Sequence, residues 1–247
     1  MTERLQSPGP VAQARAWAIH LFTALGAVTG LVSLIAVVEG RPAAALIWLG
    51  IGMVIDGLDG PLARRYVIWE VLPRVDGAVL DHIIDYMTYA VIPAMFIYTF
   101  GFLPAGWNLP GAAIVMVTAL YCFANRDAKT PDNFFAGFPA AWNLIALCFY
   151  LLDLPDWFAA AVVGLCAVLT FIPITFIHPF RVKALRPLTL AMTGAWSAVT
   201  LAAVLLQTSG GGLQANHPVL FWGFIALSTY FLAVSVVRTA RGRLAAS

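Results

Sequence analysis

A chain of 247 residues with 61% hydrophobic and only 11% charged side chains cannot cover the surface of a soluble domain, so its composition indicates an integral membrane protein. A net charge of +2 is too small to point to a nucleic-acid partner, and the mean hydropathy of +0.86 agrees with a lipid setting. Cys122, Cys148 and Cys166 each lie far apart inside apolar runs, so they read as small core residues and not as a disulfide or metal set.

In chain order, eight apolar runs are long enough to form membrane helices: about 16–38, 42–63, 75–99, 111–125, 139–152, 157–177, 188–206 and 218–237. The first is too long for a cleaved signal peptide and is expected to stay as an anchor. The fourth and fifth are the shortest. Proline and glycine cluster at the joints, as in EGRP, DLPDW and TSGGG. The expected fold is therefore an all-α integral membrane protein with about eight transmembrane helices, forming one membrane-embedded domain over 1–247. Placing the loops alternately on two sides puts thirteen Lys and Arg residues on one side and Arg41 alone on the other. By the positive-inside rule both termini and the 64–74, 126–138 and 178–187 loops are expected in the cytoplasm.

The segment DGLDGPLARRYVIWEVLPRVDGAVLDHIID at 56–85 carries the acid. Asp56 and Asp59 share one face of the second helix, and Asp81 and Asp85 share one face of the third. At 1.5 Å per residue, Asp59 and Asp56 lie roughly 7 and 12 Å below the cytoplasmic end, and Asp81 and Asp85 roughly 10 and 16 Å. Two antiparallel helices joined by a short loop thus point four carboxylates into one pocket. An ionised Asp inside a membrane helix costs about 2.5–3.5 kcal/mol, and four also repel one another, so a positive partner is required. Hard carboxylate oxygens suit Mg²⁺ or Mn²⁺, and two such ions sharing them form a clamp suited to phosphoryl chemistry. Arg64, one turn beyond Asp59 and Gly60, suits phosphate oxygens.

Asp56-x2-Asp59-Gly60-x2-Ala63-Arg64 followed by Gly77-x3-Asp81-x3-Asp85 resembles the signature of the CDP-alcohol phosphotransferases, or CDP-alcohol phosphatidyltransferases. These membrane enzymes displace CMP from a CDP-activated molecule with an alcohol, and eight spans would extend their six-helix core by two. The twelve residues between Arg64 and Gly77 make a longer loop than most of the family has. That loop, with KTPDNFFAGFPAAWN at 129–143 and IHPFRVKALRPLTL at 177–190, is similar to the bacterial phosphatidylcholine synthase branch, which condenses CDP-diacylglycerol with free choline.

The resemblance implies that Asp56, Asp59 and Asp81 bind two divalent ions, Mn²⁺ or Mg²⁺. It makes Asp85 the general base, also touching a metal. Gly60, Ala63, Arg64 and Gly77 would line the cytidine diphosphate site, and Arg181 or Lys183 would reach the substrate phosphate or lipid headgroups. It further implies CMP as product, a homodimer, and a bacterial inner-membrane location with the active site facing the cytoplasm. Choline is a permanent cation that aromatic faces recognise, which makes Tyr89, Tyr86, Phe135 and Trp142 candidates for its pocket. Two other readings stay open: another acceptor alcohol (glycerol phosphate, inositol phosphate or serine), and a divalent-cation or proton-coupled transporter, since membrane carboxylates also mark ion pathways.

Overall fold

The computed structural model describes residues 9–125, 127, 130, 134–172, 174–176, 186–207 and 212–244. Helix α1 (Pro10–Val38) and helix α2 (Pro42–Tyr66) each begin on a proline, whose missing N–H falls where a helix leaves its first donors unpaired. They form the most extensive helix pair, and Ser33 Oγ donates to Ala45 O across it at 2.8 Å. Val67, with φ 50°, turns the chain out of α2 into a single helical turn, α3 (Ile68–Val71). The chain then reverses through α4 (Gly77–Tyr86), a π-helical turn at Met87–Val91 and α5 (Ile92–Phe100), which run on as one span.

The rest of the chain gives α6 (Asn108–Ala124), α7 (Trp142–Leu152), α8 (Asp156–Leu169), α9 (Arg186–Leu206), α10 (Gly212–Asn216) and α11 (Pro218–Leu244). Five helical segments among the described residues are long and apolar enough to cross a membrane: Pro10–Val38, Pro42–Tyr66, Gly77–Phe100, Pro187–Leu206 and Pro218–Ala240. Side chains such as Leu21, Val54, Val117, Leu205 and Val236 are exposed on their outer faces, as helices facing lipid require.

The other three expected spans are helical but shorter, at 17 residues for α6, 11 for α7 and 14 for α8. Eleven residues rise about 16 Å, roughly half the thickness of a hydrocarbon core. The chain on either side of α7 and α8 accounts for the shortfall. Strands β1 (Phe135–Ala136) and β2 (Thr175–Phe176) pair antiparallel and hold 135–141, 170–172 and 174–176 outside any helix. Gly137 N donates to Ile174 O at 2.8 Å and Phe138 N to Leu169 O at 3.0 Å, so this irregular backbone is satisfied within the protein. Gly137 has φ +86°, and a Cβ there would lie 2.6 Å from Thr170 O, so only glycine fits.

Two apolar clusters hold the bundle together. Phe96, Leu147, Leu151, Val204 and Phe224 centre one, and Val115, Phe138, Trp142, Phe149 and Val163 the other. The three cysteines are free thiols, as their positions in apolar runs imply. Between helices in lipid, close packing matters more than water exclusion. Gly26 of α1 illustrates it, since an added Cβ would sit 2.8 Å from Ile84 Cγ2 of α4. This closeness fixes α4, and with it two of the four acids, against the α1–α2 pair.

Candidate active site

The site lies where α2 ends and α4 begins. The Asp76 carboxylate accepts from Ala78 N at 2.9 Å and Val79 N at 3.1 Å, capping α4 and setting where its first turn starts. From that start Asp81 and Asp85 fall one turn apart on one face, opposite Asp56 and Asp59 of α2. All four carboxylates line one pocket with Thr23, Gly26, Gly52 and Thr88. Its free volume is about 10 Å³, room for one water-sized sphere. It admits an ion but not a lipid headgroup, so a larger ligand must sit across its mouth.

Carboxylate oxygens of Asp56, Asp81 and Asp85 lie within 4.8 Å of one another. Two unit charges at that distance repel by roughly 3.5 kcal/mol at an effective dielectric of 20. A divalent ion bound at about 2.0–2.6 Å from each oxygen replaces that repulsion with attraction, and opposite ligands then stand about 4–5 Å apart. The donor set therefore fits a hard divalent cation. Asp59 is the most buried of the four, at 6% exposure, with Thr23 and Arg64 beside its carboxylate. It lines the pocket without joining the tighter group of three.

Around the acids, the Arg64 guanidinium lies over Gly60, where an added Cβ would meet Nη1 at 3.2 Å. Ala63 packs beside Ala16, Ile19 and Ile68, at the joint of α1, α2 and α3. Gly77 leaves room for the His20 ring, whose Cε1 would be 3.1 Å from a Cβ there. Sequence reasoning missed three contributors. Thr23 and His20 carry no motif, although His20 precedes Thr23 by three residues on the buried face of α1. Asp76 is the one aspartate of the 56–85 segment besides the four of the pocket, and it stands directly before Gly77, which is the signal of a helix cap.

The aromatic candidates separate. Tyr89 donates its phenol to Asp56 Oδ2 at 2.7 Å, which ties it to the pocket. Tyr86 turns toward α6, with its hydroxyl 3.4 Å from Met116 O and its ring edge-on to Phe123. Phe135 is half-buried in β1, and Trp142 is a fully buried core residue edge-on to Phe138 at 5.0 Å. His82 packs on Phe123 and takes no part in the acidic pocket. Arg181 and Lys183 lie outside the described residues.

Sequence comparison agrees with this geometry. The CDP-alcohol phosphatidyltransferase family profile matches residues 18–173, a range that contains every residue lining the acidic pocket. A phosphatidylcholine synthase of Pseudomonas aeruginosa is 43% identical over 94% of this chain and 95% of its own length. Relatives of the same name from Rhizobium meliloti and Borreliella burgdorferi are 35% and 33% identical, over 92% and 88% of this chain and 92% and 94% of their own. With its signature acids gathered on one pocket and relatives matched along nearly their whole length, the chain belongs to the CDP-alcohol phosphatidyltransferase family.

Proposed function

We propose that this protein is a CDP-diacylglycerol–choline O-phosphatidyltransferase, forming phosphatidylcholine and CMP. The convergence of Asp56, Asp59, Asp81 and Asp85 on one pocket carries the phosphoryl-transfer chemistry. The choice of choline rests on the relatives named phosphatidylcholine synthase and on the aromatic side chains near the acids. Asp56, Asp59, Asp81 and Asp85 would hold two divalent ions, Mn²⁺ or Mg²⁺, with Asp56, Asp81 and Asp85 supplying the tighter group of oxygens. Bound there, the ions supply positive charge that offsets the diphosphate of the donor and of departing CMP.

The chain's own groups do the remainder. Arg64, folded over Gly60, grips diphosphate oxygens in a two-pronged contact, and the small residues Gly60, Ala63 and Gly77 leave the nucleotide room. Asp85 takes the proton of the choline hydroxyl as its oxygen bonds to the phosphorus bearing diacylglycerol. The phosphorus–oxygen bond to CMP breaks in line, so one phosphoester replaces another. Tyr89, tied to Asp56, offers its ring face to the quaternary ammonium, whereas Tyr86, Phe135 and Trp142 do not line the acidic pocket. Arg181 and Lys183 add positive charge that attracts anionic lipid phosphate.

The same reading places the protein as one domain over 1–247 in a bacterial inner membrane, as a homodimer. Eight helices cross, six forming the family core, with α6, α7 and α8 the shortest of them. Thirteen of fourteen Lys and Arg residues on one side support cytoplasmic termini and a cytoplasmic site.

The test is headgroup transfer by purified protein in lipid–detergent micelles supplied with CDP-diacylglycerol and Mn²⁺. Labelled choline, serine, inositol phosphate and glycerol phosphate are offered in parallel. CMP release that requires choline supports the proposal. Transfer to another alcohol refutes the choline assignment, and no release with any acceptor returns the pocket to an ion-carrier role.

A further inference from the structure

One turn from Asp56, toward the joint of α2 and α4, stands Gly60, and one turn from Asp81, toward the same joint, stands Gly77. A nitrogen-bearing side chain lies against each glycine. A Cβ at Gly60 would be 3.2 Å from Arg64 Nη1, and a Cβ at Gly77 would be 3.1 Å from His20 Cε1. The two glycines thus mark the rim of the acidic pocket, with Arg64 on the α2 side and His20 on the α4 side. His20 reaches this rim from α1. Its neighbours Ala16 and Ile19 pack with Ala63 and Ile68 at the joint, and Thr23, three residues further on, lines the pocket beside Asp59.

His20 is 5% exposed, and its Nε2 is buried without a hydrogen-bond partner. Trp17 packs edge-on to the ring at 6.3 Å, and Gly77 leaves space for the ring edge that carries Cε1. Packing alone does not call for an imidazole here. An unpaired buried nitrogen costs free energy that an apolar side chain of similar size would not, and buried polar atoms are paired as a rule. An unpaired nitrogen at the rim of a site therefore marks the place of a ligand atom.

The chemistry of that atom narrows the choice. A neutral imidazole nitrogen donates in one tautomer and accepts in the other, and a hydroxyl suits both. In the lipid donor of the transferase reading, the ionised diphosphate and the glycerol esters offer acceptors alone. The ribose carries the hydroxyls. The acids, their ions and Arg64 already answer the diphosphate, and His20 lies about 4.5 Å along α1 from Thr23, on the side away from the pocket floor. The ribose is the next group beyond the diphosphate in that direction.

We propose that His20 Nε2 hydrogen-bonds a ribose hydroxyl of the cytidine nucleotide, so that His20 selects a ribonucleotide donor over its deoxyribonucleotide counterpart. The inference rests on the transferase reading above and adds to it a specificity residue from α1.

The test is binding of CDP, 2′-deoxy-CDP and 3′-deoxy-CDP to the full-length protein with Mn²⁺, measured by equilibrium dialysis. The wild type is expected to bind CDP about 5- to 10-fold more tightly than at least one deoxy analogue. In His20→Asn, whose amide reaches only as far as Nδ1, that preference is expected to vanish while Mn²⁺ binding without nucleotide stays as in the wild type. His20→Gln, whose amide reaches the Nε2 position, is expected to keep it. Because the readout is a ratio of two affinities in one protein, a general loosening of the site cancels. CDP binding by the wild type with no preference for either hydroxyl overturns the proposal without recourse to a variant, and leaves the transferase reading standing. A preference that survives in His20→Asn overturns it as well. No CDP binding by the wild type overturns the transferase reading and this inference together.

Discussion

The phenol of Tyr89 donates a 2.7 Å hydrogen bond to Asp56 Oδ2, tying the second half of one span to an acid of another. Tyr89 sits in the π-helical turn at Met87–Val91, directly after Asp85 and Tyr86. Such a turn widens the helix locally and is frequent at functional sites. Here it delivers an aromatic donor to a carboxylate of the acidic pocket. A ligand carboxylate held by an outer hydrogen bond has its free oxygen already aimed, which raises its affinity for a cation.

Tyr89→Phe keeps the ring and removes that bond. Activity is expected to require about 10-fold more Mn²⁺, with the KM for choline unchanged. Tyr89→Ala is expected to raise both. Metal titrations of CMP release at fixed choline, followed by choline titrations at saturating metal, separate the two roles.

Asp76 and Asp81 are five residues apart and do different work. Asp76 caps α4, so Asp76→Ala is expected to lower stability by about 1 kcal/mol and leave Mn²⁺ affinity nearly intact. Asp81→Asn is expected to abolish measurable transfer while the fold persists. Thermal unfolding in detergent alongside activity distinguishes the cap from the ligand.

Gly26 lets α1 approach α4, and Gly26→Ala places a methyl 2.8 Å from Ile84 Cγ2. Ile84 is buried between two of the acids, so relief of the clash moves Asp81 and Asp85 with it. A loss of about 1–3 kcal/mol in stability is expected, together with reduced kcat. Gly164→Ala in α8, where an added Cβ meets nothing within 4 Å, is the matched control and is expected to be neutral or slightly stabilising.

Arg64 is held over Gly60 as a planar fork, which a lysine cannot copy. Arg64→Lys is expected to raise the KM for CDP-diacylglycerol about 10-fold with little change in the KM for choline. Initial rates over a grid of both substrates show whether the loss falls on the donor alone.

The helical period made the acidic pocket legible. Asp56 with Asp59 and Asp81 with Asp85 are spaced for one face each, and a short joint forces the two faces together. Tyr89 was legible in part, because it stands one turn beyond Asp85, but the pattern pointed to its ring and not to its hydroxyl. Hydropathy found every long apolar helix, yet it overran α7 and α8. It registers apolar residues such as Phe138, Ala140 and Ile174 whether the backbone there is helical or extended. The β1–β2 pairing is two residues long on each strand and joins positions forty residues apart, so no local pattern announces it. Trp142 looked like a ligand-facing aromatic for the same reason that many core residues do, since composition does not reveal which side of a helix is covered.

The most direct test is Mn²⁺ binding by the purified protein, followed by electron paramagnetic resonance without any substrate. The acidic pocket predicts bound Mn²⁺ that Mg²⁺ displaces, with affinity falling at least about 10-fold in Asp56→Asn and in Asp81→Asn but not in Asp76→Ala. Equal Mn²⁺ binding by the wild type and both asparagine variants would contradict it, because the four carboxylates would then be gathered for some purpose other than holding a metal.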